Sequence, residues 1–436
     1  MTIASANVNN FINNKLLIIA DDFTGALDTG VQFSKKGIAS LVLTVDQLSF
    51  EAGYTADVLV INTESRHLSP QRAYDLIYNV TSRALKHGFK YFYKKTDSAL
   101  RGNIGAELAG LLEASGENSL TFVPAFPQNR RVTRSGIQYI DGVEVAQSVF
   151  SVDPFSPVKH SSVAEIIHLQ AGLPTENLTR AAYAQAAVKP ETKTIRIMDA
   201  ESVEDLAAIG AHLKEGQNLN LLSGCAGFAE ILPDLLMLPK REFKLAQVPS
   251  TLLVVSGSVN PIAIEQLAFG EFLGFATYTL TKLQKLEPLY PQSEAGQKYV
   301  AELAEQLNIC GRVIVRAVKD TSEIAFIDDY IDSQNDSLKE ISKQIASNIS
   351  QITCQILKKS KVGTLVIFGG DTLHGILAQM NSAGVIPLAE ISSGVVAAKV
   401  LTDQHDGLVI TKSGGLSGPN ILRSIEEFVF KNGGRQ

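Results

Sequence analysis

Lys15-Leu16-Leu17-Ile18-Ile19-Ala20-Asp21-Asp22-Phe23-Thr24-Gly25-Ala26 is an aliphatic run that stops at two adjacent aspartates. A short, unbroken apolar run near the start of a long chain reads as a strand buried on both faces, the mark of a parallel sheet. The segment after it reads as a helix to about Lys36, stopped by Gly37. Asp21 and Asp22 therefore stand where a strand's carboxyl end turns into a helix, the place at which open α/β sheets bind ligands. Carboxylates this close repel each other, which favours a cation, a hydroxyl donor or a base role between them. A helix N-cap alone would need one aspartate, not two.

The same alternation of strand and helix continues outward. In the first half the pattern predicts strands near 15–20, 39–45, 57–61, 90–94 and 119–123, with helices at 69–87 and 103–115. Residues 125–160 break the rhythm with Pro127, Pro154, Pro157 and an arginine group, Arg130, Arg131 and Arg134, and read as a binding loop. A strand at 194–198, a helix at 201–214 and a strand at 219–222 follow. The polar, proline-bounded stretch from Pro239 to Pro249 reads as a linker. The second half restarts at Thr251-Leu252-Leu253-Val254-Val255, with helices at 261–269, 294–307 and 337–358 and strands near 312–317, 364–368 and 408–411. Residues 319–336 are acidic and read as a solvated loop. The expectation is an α/β protein of two domains, 1–245 and 246–436, each with a largely parallel sheet flanked by helices.

Composition narrows the function classes. A chain of 436 residues exceeds what one core usually supports. A net charge of -6 argues against a nucleic-acid protein, which would carry basic stripes. Three scattered cysteines form no C-x-x-C pair, so neither a disulfide framework nor a zinc knuckle is expected. No apolar stretch approaches the roughly 18 residues of a membrane span, and residues 1–14 show no secretory pattern, so the expected location is cytoplasmic. The seven histidines make no H-E-x-x-H, and no G-x-S-x-G elbow is present.

Three strands of the second half each run into glycine and then a helix start. These are Ser256-Gly257-Ser258-Val259-Asn260-Pro261, Phe368-Gly369-Gly370-Asp371-Thr372 and Lys412-Ser413-Gly414-Gly415-Leu416-Ser417-Gly418-Pro419. Glycines let backbone approach a ligand, and helix N-termini offer unpaired N–H groups to anions. Three such turns at one end of a sheet point to a phosphate or nucleotide site. No G-x-G-x-x-G follows the first strand, and Gly407–Ser413 only mimics a P-loop, because Thr411 replaces its second glycine. In the first half, strand ends carry Asn62-Thr63-Glu64-Ser65-Arg66 and Lys94-Lys95-Thr96-Asp97-Ser98 with Arg101-Gly102-Asn103. Mixed acids, cations and small hydroxyl or amide residues suit a small polyol that also carries a carboxylate.

Ala20 to Ala26, Lys95-Thr96-Asp97-Ser98 with Arg101-Gly102-Asn103, Gly369 to Thr372 and Thr411 to Gly415 together resemble the four-carbon acid sugar kinases, over nearly the whole chain. Asn62 to Arg66 and Tyr93-Lys94-Lys95 look most like the D-threonate branch of that family. Two positions depart from its usual pattern: Leu416-Ser417 stand where an aromatic and a glycine are common, and Val259-Asn260 where cysteine and serine are. The resemblance implies an N-terminal domain for the sugar acid and a C-terminal domain for ATP, with Mg²⁺, and transfer to the C4 hydroxyl in a cleft between them. It implies Asp22 or Asp21 as base, and Asp21, Asp22, Arg66, Lys94, Lys95, Asp97, Ser98 and Arg101 around the acid. Ser258, Gly369, Gly370, Asp371, Thr372, Lys412, Ser413, Gly414 and Gly415 would hold ATP. D-threonate is the expected substrate, with D-erythronate or a 3-oxo-tetronate as alternatives. A nicotinamide-dependent dehydrogenase and a non-catalytic sugar-acid-binding protein are the more remote ones. The sequence leaves metal ligands undefined and a homodimer open.

Overall fold

The computed structural model describes residues 16–436 except 53, 154, 184–189, 191, 242–248, 321, 324–337, 414 and 433–436. The chain divides into two compact units, Met1–Glu242 and Phe243–Gln436. The expected boundary at 245/246 and most of the expected 319–336 loop lie outside the described residues.

In the first unit, strands β1 (Leu16–Ala20), β2 (Ser40–Thr44), β3 (Val58–Asn62), β4 (Tyr91–Lys95) and β5 (Ser119–Val123) form on the expected runs. An antiparallel group, β6 (Arg131–Arg134), β7 (Ile137–Ile140) and β8 (Val143–Glu144), then precedes β9 (Thr175–Leu178), β10 (Thr194–Met198) and β11 (Leu221–Gly224). The main sheet runs β2-β3-β1-β4-β11-β5-β10-β9 with every pairing parallel. Helices Phe23–Ser34, Pro70–Lys86 and Ile104–Ser115 follow β1, β3 and β4. The apolar faces of Pro70–Lys86 and Ile104–Ser115 close over Leu17, Ile19, Leu59, Ile61 and Phe92. Helix Phe23–Ser34 buries Ala26, Leu27 and Val31, and β1 and β3 are buried at every position, which is why they lack alternation. The stretch 125–160 is more ordered than a loop. It carries the three-stranded sheet β6-β7-β8, whose short strands and proline-rich flanks give no periodic signal.

The second unit contains β12 (Leu252–Ser256), β13 (Ala276–Thr279), β14 (Arg312–Arg316), β15 (Thr364–Phe368), β16 (Val385–Ser392), β17 (Val395–Val400) and β18 (Leu408–Lys412). Their order is β13-β14-β12-β15-β18-β17-β16. The first five strands of that order pair in parallel, and β17 and β16 close the series antiparallel. Nothing in the sequence pattern marks that hairpin, because Pro387 and two register shifts interrupt its alternation. The last helix begins at Ile421, two residues beyond the expected opening at Pro419. Among the described residues, no helix is long and apolar enough to cross a membrane.

Candidate active site

Register aligns the first group of functional residues. Ala20 pairs with Asn62 on one side and Lys95 on the other, and Gly224 pairs with Lys95. The next residues, Asp21, Thr63, Thr96 and Cys225, therefore form one line across the carboxyl ends of four parallel strands. Asp22 has extended backbone and caps helix Phe23–Ser34, accepting from the Gly25 N–H at 2.9 Å. Its other oxygen accepts from the Thr24 hydroxyl at 2.8 Å. A Cβ at residue 25 would lie 2.8 Å from Lys95 Nζ, so glycine is what lets this turn pack against the lysine.

The cap is only part of what Asp22 does. Arg66 Nε donates to Asp21 Oδ2 at 2.7 Å, its Nη1 stands 3.0 Å from Asp22 Oδ2, and its Nη2 stands 3.8 Å from Asp97 Oδ1. One guanidinium thus ties three carboxylates from two strand ends. Asn103 holds the arginine's loop in place by donating to the Ser65 and Leu68 carbonyls, each at 2.9 Å. Arg101 grips Asp97 with Nε and Nη2, both at 3.0 Å, and reaches Asp153 with Nη1 at 3.1 Å. Arg131 donates to the Ser98 hydroxyl.

These charges decide protonation. Burial alone would raise the pKa of Asp22, but the Arg66 guanidinium, Lys95 and the Thr24 hydroxyl outweigh it and hold the carboxyl below its usual value. Burial likewise opposes ionisation of Asp97, and Arg101 with Arg66 holds it well below. Asp21 is almost fully enclosed and its Oδ1 has no hydrogen-bond partner among the described residues, whereas a fifth of the Asp22 side chain is accessible.

Strand pleat separates the two lysines. Lys95 shares the site with Asp22, and its ammonium makes no ion pair or hydrogen bond among the described residues. Lys94 is not brought into this group. Fully buried, it stands 2.9 Å from Glu107 Oε2, while Glu107 Oε1 accepts from the Ser65 hydroxyl. Burial raises the Glu107 pKa, and Lys94 only partly offsets that. Glu107, Asp153, Asn103 and Arg131 are members of this network that motif reasoning gave no site role. The arginine group in 125–160 was the signal for the last.

The second unit repeats the alignment: Ser256 pairs with Phe368, and Phe368 with Lys412, so Gly257, Gly369 and Ser413 follow in line. Gly369 has φ +99°, ψ 141°, a region open essentially only to glycine. The Gly257 N–H donates to Thr372 Oγ1 at 3.2 Å, joining the first turn to the second. Asn260 caps helix Pro261–Phe272 by accepting from the Ile262 N–H at 3.0 Å. Ser258 Oγ accepts from the Asn260 N–H at 3.2 Å. Buried Gln266, on that helix, donates to the carbonyls of Leu416, Ser417 and Gly418 at 3.3, 3.0 and 2.9 Å, which joins the third turn to the first. Gly415 lies beside Asn260, and Gly414 is outside the described residues. Ser417, at the position where glycine is common, takes φ +68°, and its hydroxyl donates to Ser393 O at 2.8 Å. Lys412 is buried against the Phe368 ring at 5.3 Å, and burial pushes its ammonium down to about 8. Asp371 is exposed in the first turn of helix Gly370–Gln379.

A line of backbone N–H groups, glycines and one lysine suits phosphates. Among the described residues no group of three or more His, Cys, Asp or Glu side chains is arranged to hold a metal ion. Asp371 is the carboxylate beside the glycine turn.

Two family models match the chain. The family model described as a sugar-binding N-terminal domain matches residues 16–232, and that of a nucleotide-binding C-terminal domain residues 253–422. A D-threonate kinase of Salmonella typhimurium is 29% identical, covering 94% of this chain and 96% of its own. A D-erythronate kinase of Heliobacterium modesticaldum is 30% identical, covering 93% and 94%. The solved structure of a Salmonella typhimurium LT2 protein superposes with a TM-score of 0.79 at 20% identity, over 94% of this chain and 98% of that one. At that identity the likeness bears on the fold alone.

Proposed function

The chain belongs to the four-carbon acid sugar kinase family, and from that premise we propose that it transfers the γ-phosphoryl group of ATP to the C4 hydroxyl of D-threonate. The observation that carries the reading is Asp22: an ionised, partly accessible carboxylate at a strand end, set by Arg66 and Lys95. Phosphoryl transfer needs positioning and charge neutralisation more than covalent help. Asp22 would orient the C4 hydroxyl and take its proton, while enclosed Asp21 anchors Arg66. Lys95 would meet the substrate carboxylate. Asp97 and Ser98, fixed by Arg101 and Arg131, would bond the secondary hydroxyls. In the second unit, Ser258, Gly369 to Thr372, Lys412, Ser413 and Gly415 would hold ATP. Magnesium, bound with the nucleotide, would neutralise phosphate charge.

The D-threonate kinase among the relatives supports that acid, and the D-erythronate kinase supports its epimer as the second reading. A coupled ADP-release assay across D-threonate, D-erythronate, L-threonate and a 3-oxo-tetronate decides between them. Highest kcat/KM on D-threonate is expected. Preference for another acid would replace the substrate, and no ADP release with any acid would remove the activity.

A further inference from the structure

Of the four cations around the acid-binding group, two are already committed: Arg66 to Asp21, Asp22 and Asp97, and Arg101 to Asp97 and Asp153. Lys95 and Arg131 form no ion pair within 4.0 Å among the described residues. Resting on the reading above, we infer that Arg131 and Lys95 together clamp the substrate carboxylate, so that Arg131 decides acid over uncharged polyol.

Arg131 comes from β6, in the insert between β5 and β9, and reaches the line of strand ends from outside the main sheet. It is held from two directions. The Ser98 hydroxyl accepts one of its N–H groups, and the Phe150 ring lies 5.5 Å below its guanidinium. The Arg101 guanidinium lies 5.2 Å from the same ring, so one aromatic side chain seats both arginines. Lys95 and Arg131 both border Cys225: Lys95 is the register partner of Gly224, and the Cys225 thiol donates to Ala125 O, next to Phe126, whose N–H donates to Arg131 O. With no ion pair of their own among the described residues, the two cations are left for an anion supplied by the ligand. A guanidinium with free N–H groups offers a carboxylate two parallel bonds, and the lysine adds a point charge. The carboxylate then lies beside Asp97 and Ser98, with the chain running toward Asp22 and the C4 hydroxyl.

The test compares D-threonate with threitol, its counterpart lacking the carboxylate, in the full chain and in Arg131→Met and Arg131→Lys. Arg131→Met should lower kcat/KM for the acid about 100-fold, lower threitol turnover far less because only the support of Ser98 is lost there, leave the KM for ATP unchanged, and so collapse the acid-to-polyol ratio. Arg131→Lys should recover part of it. The ratio is internal to each variant, so a loss of folded enzyme cancels. Calorimetric binding of each ligand without nucleotide reads the same clamp even if no ADP were released, which separates failure of the clamp from failure of the kinase reading. An unchanged acid-to-polyol ratio, in turnover or in binding, overturns the inference.

Discussion

In the first unit Ala20, Asn62 and Lys95 stand level at the ends of β1, β3 and β4. In the second, Ser256, Phe368 and Lys412 stand level at the ends of β12, β15 and β18. The positions correspond, and the chemistry placed on them differs. One line continues into aspartates locked by arginines, the other into glycines tied through Thr372 and Gln266. A small hydroxy acid has stereocentres to be read, which takes directed side chains of both signs. A triphosphate is bulky and uniformly anionic, and backbone N–H groups with a lysine suffice for it. The same edge of a parallel sheet thus becomes a stereochemical gauge or an anion cradle according to which residues follow the last paired one.

The sharpest way to break this contrast is Asp22→Asn. Removing the hydroxyl-orienting carboxylate should lower kcat about 10²–10⁴-fold while ATP affinity, measured by calorimetry, stays near wild type. A wild-type rate would remove Asp22 as base. Gly369→Ala should act on the other side only. A side chain at φ +99° costs about 1–3 kcal/mol, so the KM for ATP should rise about 10-fold or more, with acid binding unaffected. A rise in the acid's KM instead would mean that the division of labour is wrong.

pH separates the units by sign. Asp22 and Asp97 have folded values below the ordinary 3.8. Their contribution to stability is present above that value and is lost as pH falls through the lower folded ones. Lys412 titrates near 8 in the fold against 10.5 for an ordinary lysine. Burying its charged form is therefore unfavourable at every pH below 8, and that penalty disappears as pH rises from 8 toward 10.5. Bound phosphates favour the charged form, so ATP binding should take up a proton and weaken as pH rises above 8, as titration calorimetry in buffers of different ionisation heat would show. Affinity flat from pH 7 to 10 would take Lys412 out of the nucleotide site. The smallest effect belongs to Ser417→Gly, which relieves a left-handed serine but removes its hydroxyl's contacts with Ser393 O and Ser392 Oγ. The two contributions are each about 1 kcal/mol and opposed, so thermal stability and the KM for ATP should barely move. Ser417→Ala, losing only those contacts, should lower stability by about 1 kcal/mol.

Most of this was legible because buried parallel strands announce themselves. The runs at Leu16, Val58 and Leu252 are unbroken, and the residues that follow them are more polar than a helix cap alone needs. The helix start read at Asn260-Pro261 is where the helix Pro261–Phe272 begins. The insert at 125–160 was not legible, since β6 to β8 are two to four residues long and packed by isolated contacts such as Phe150 between two arginines. The hairpin of β16 and β17 hid behind a proline and two bulges. Nor could spacing tell which charges were committed. Arg66 and Arg101 read as free for a ligand until distances tied them to aspartates, and Lys94 and Lys95 read alike.

Those two lysines also determine how β4 can be threaded. A slip of one residue exchanges the faces of a strand. Moved one way, the slip would set Tyr93 against Glu107 and leave a buried carboxylate without its cation, a loss of about 3–5 kcal/mol. Moved the other way, Lys95 would satisfy Glu107, but Lys94 would be driven into the enclosed place where the Tyr93 hydroxyl now donates to Cys225 O at 2.6 Å. Glu107 on one face and the Cys225 carbonyl on the other thus act as a two-sided key for the strand. The register that aligns the strand ends is set by groups packed on the two faces of β4.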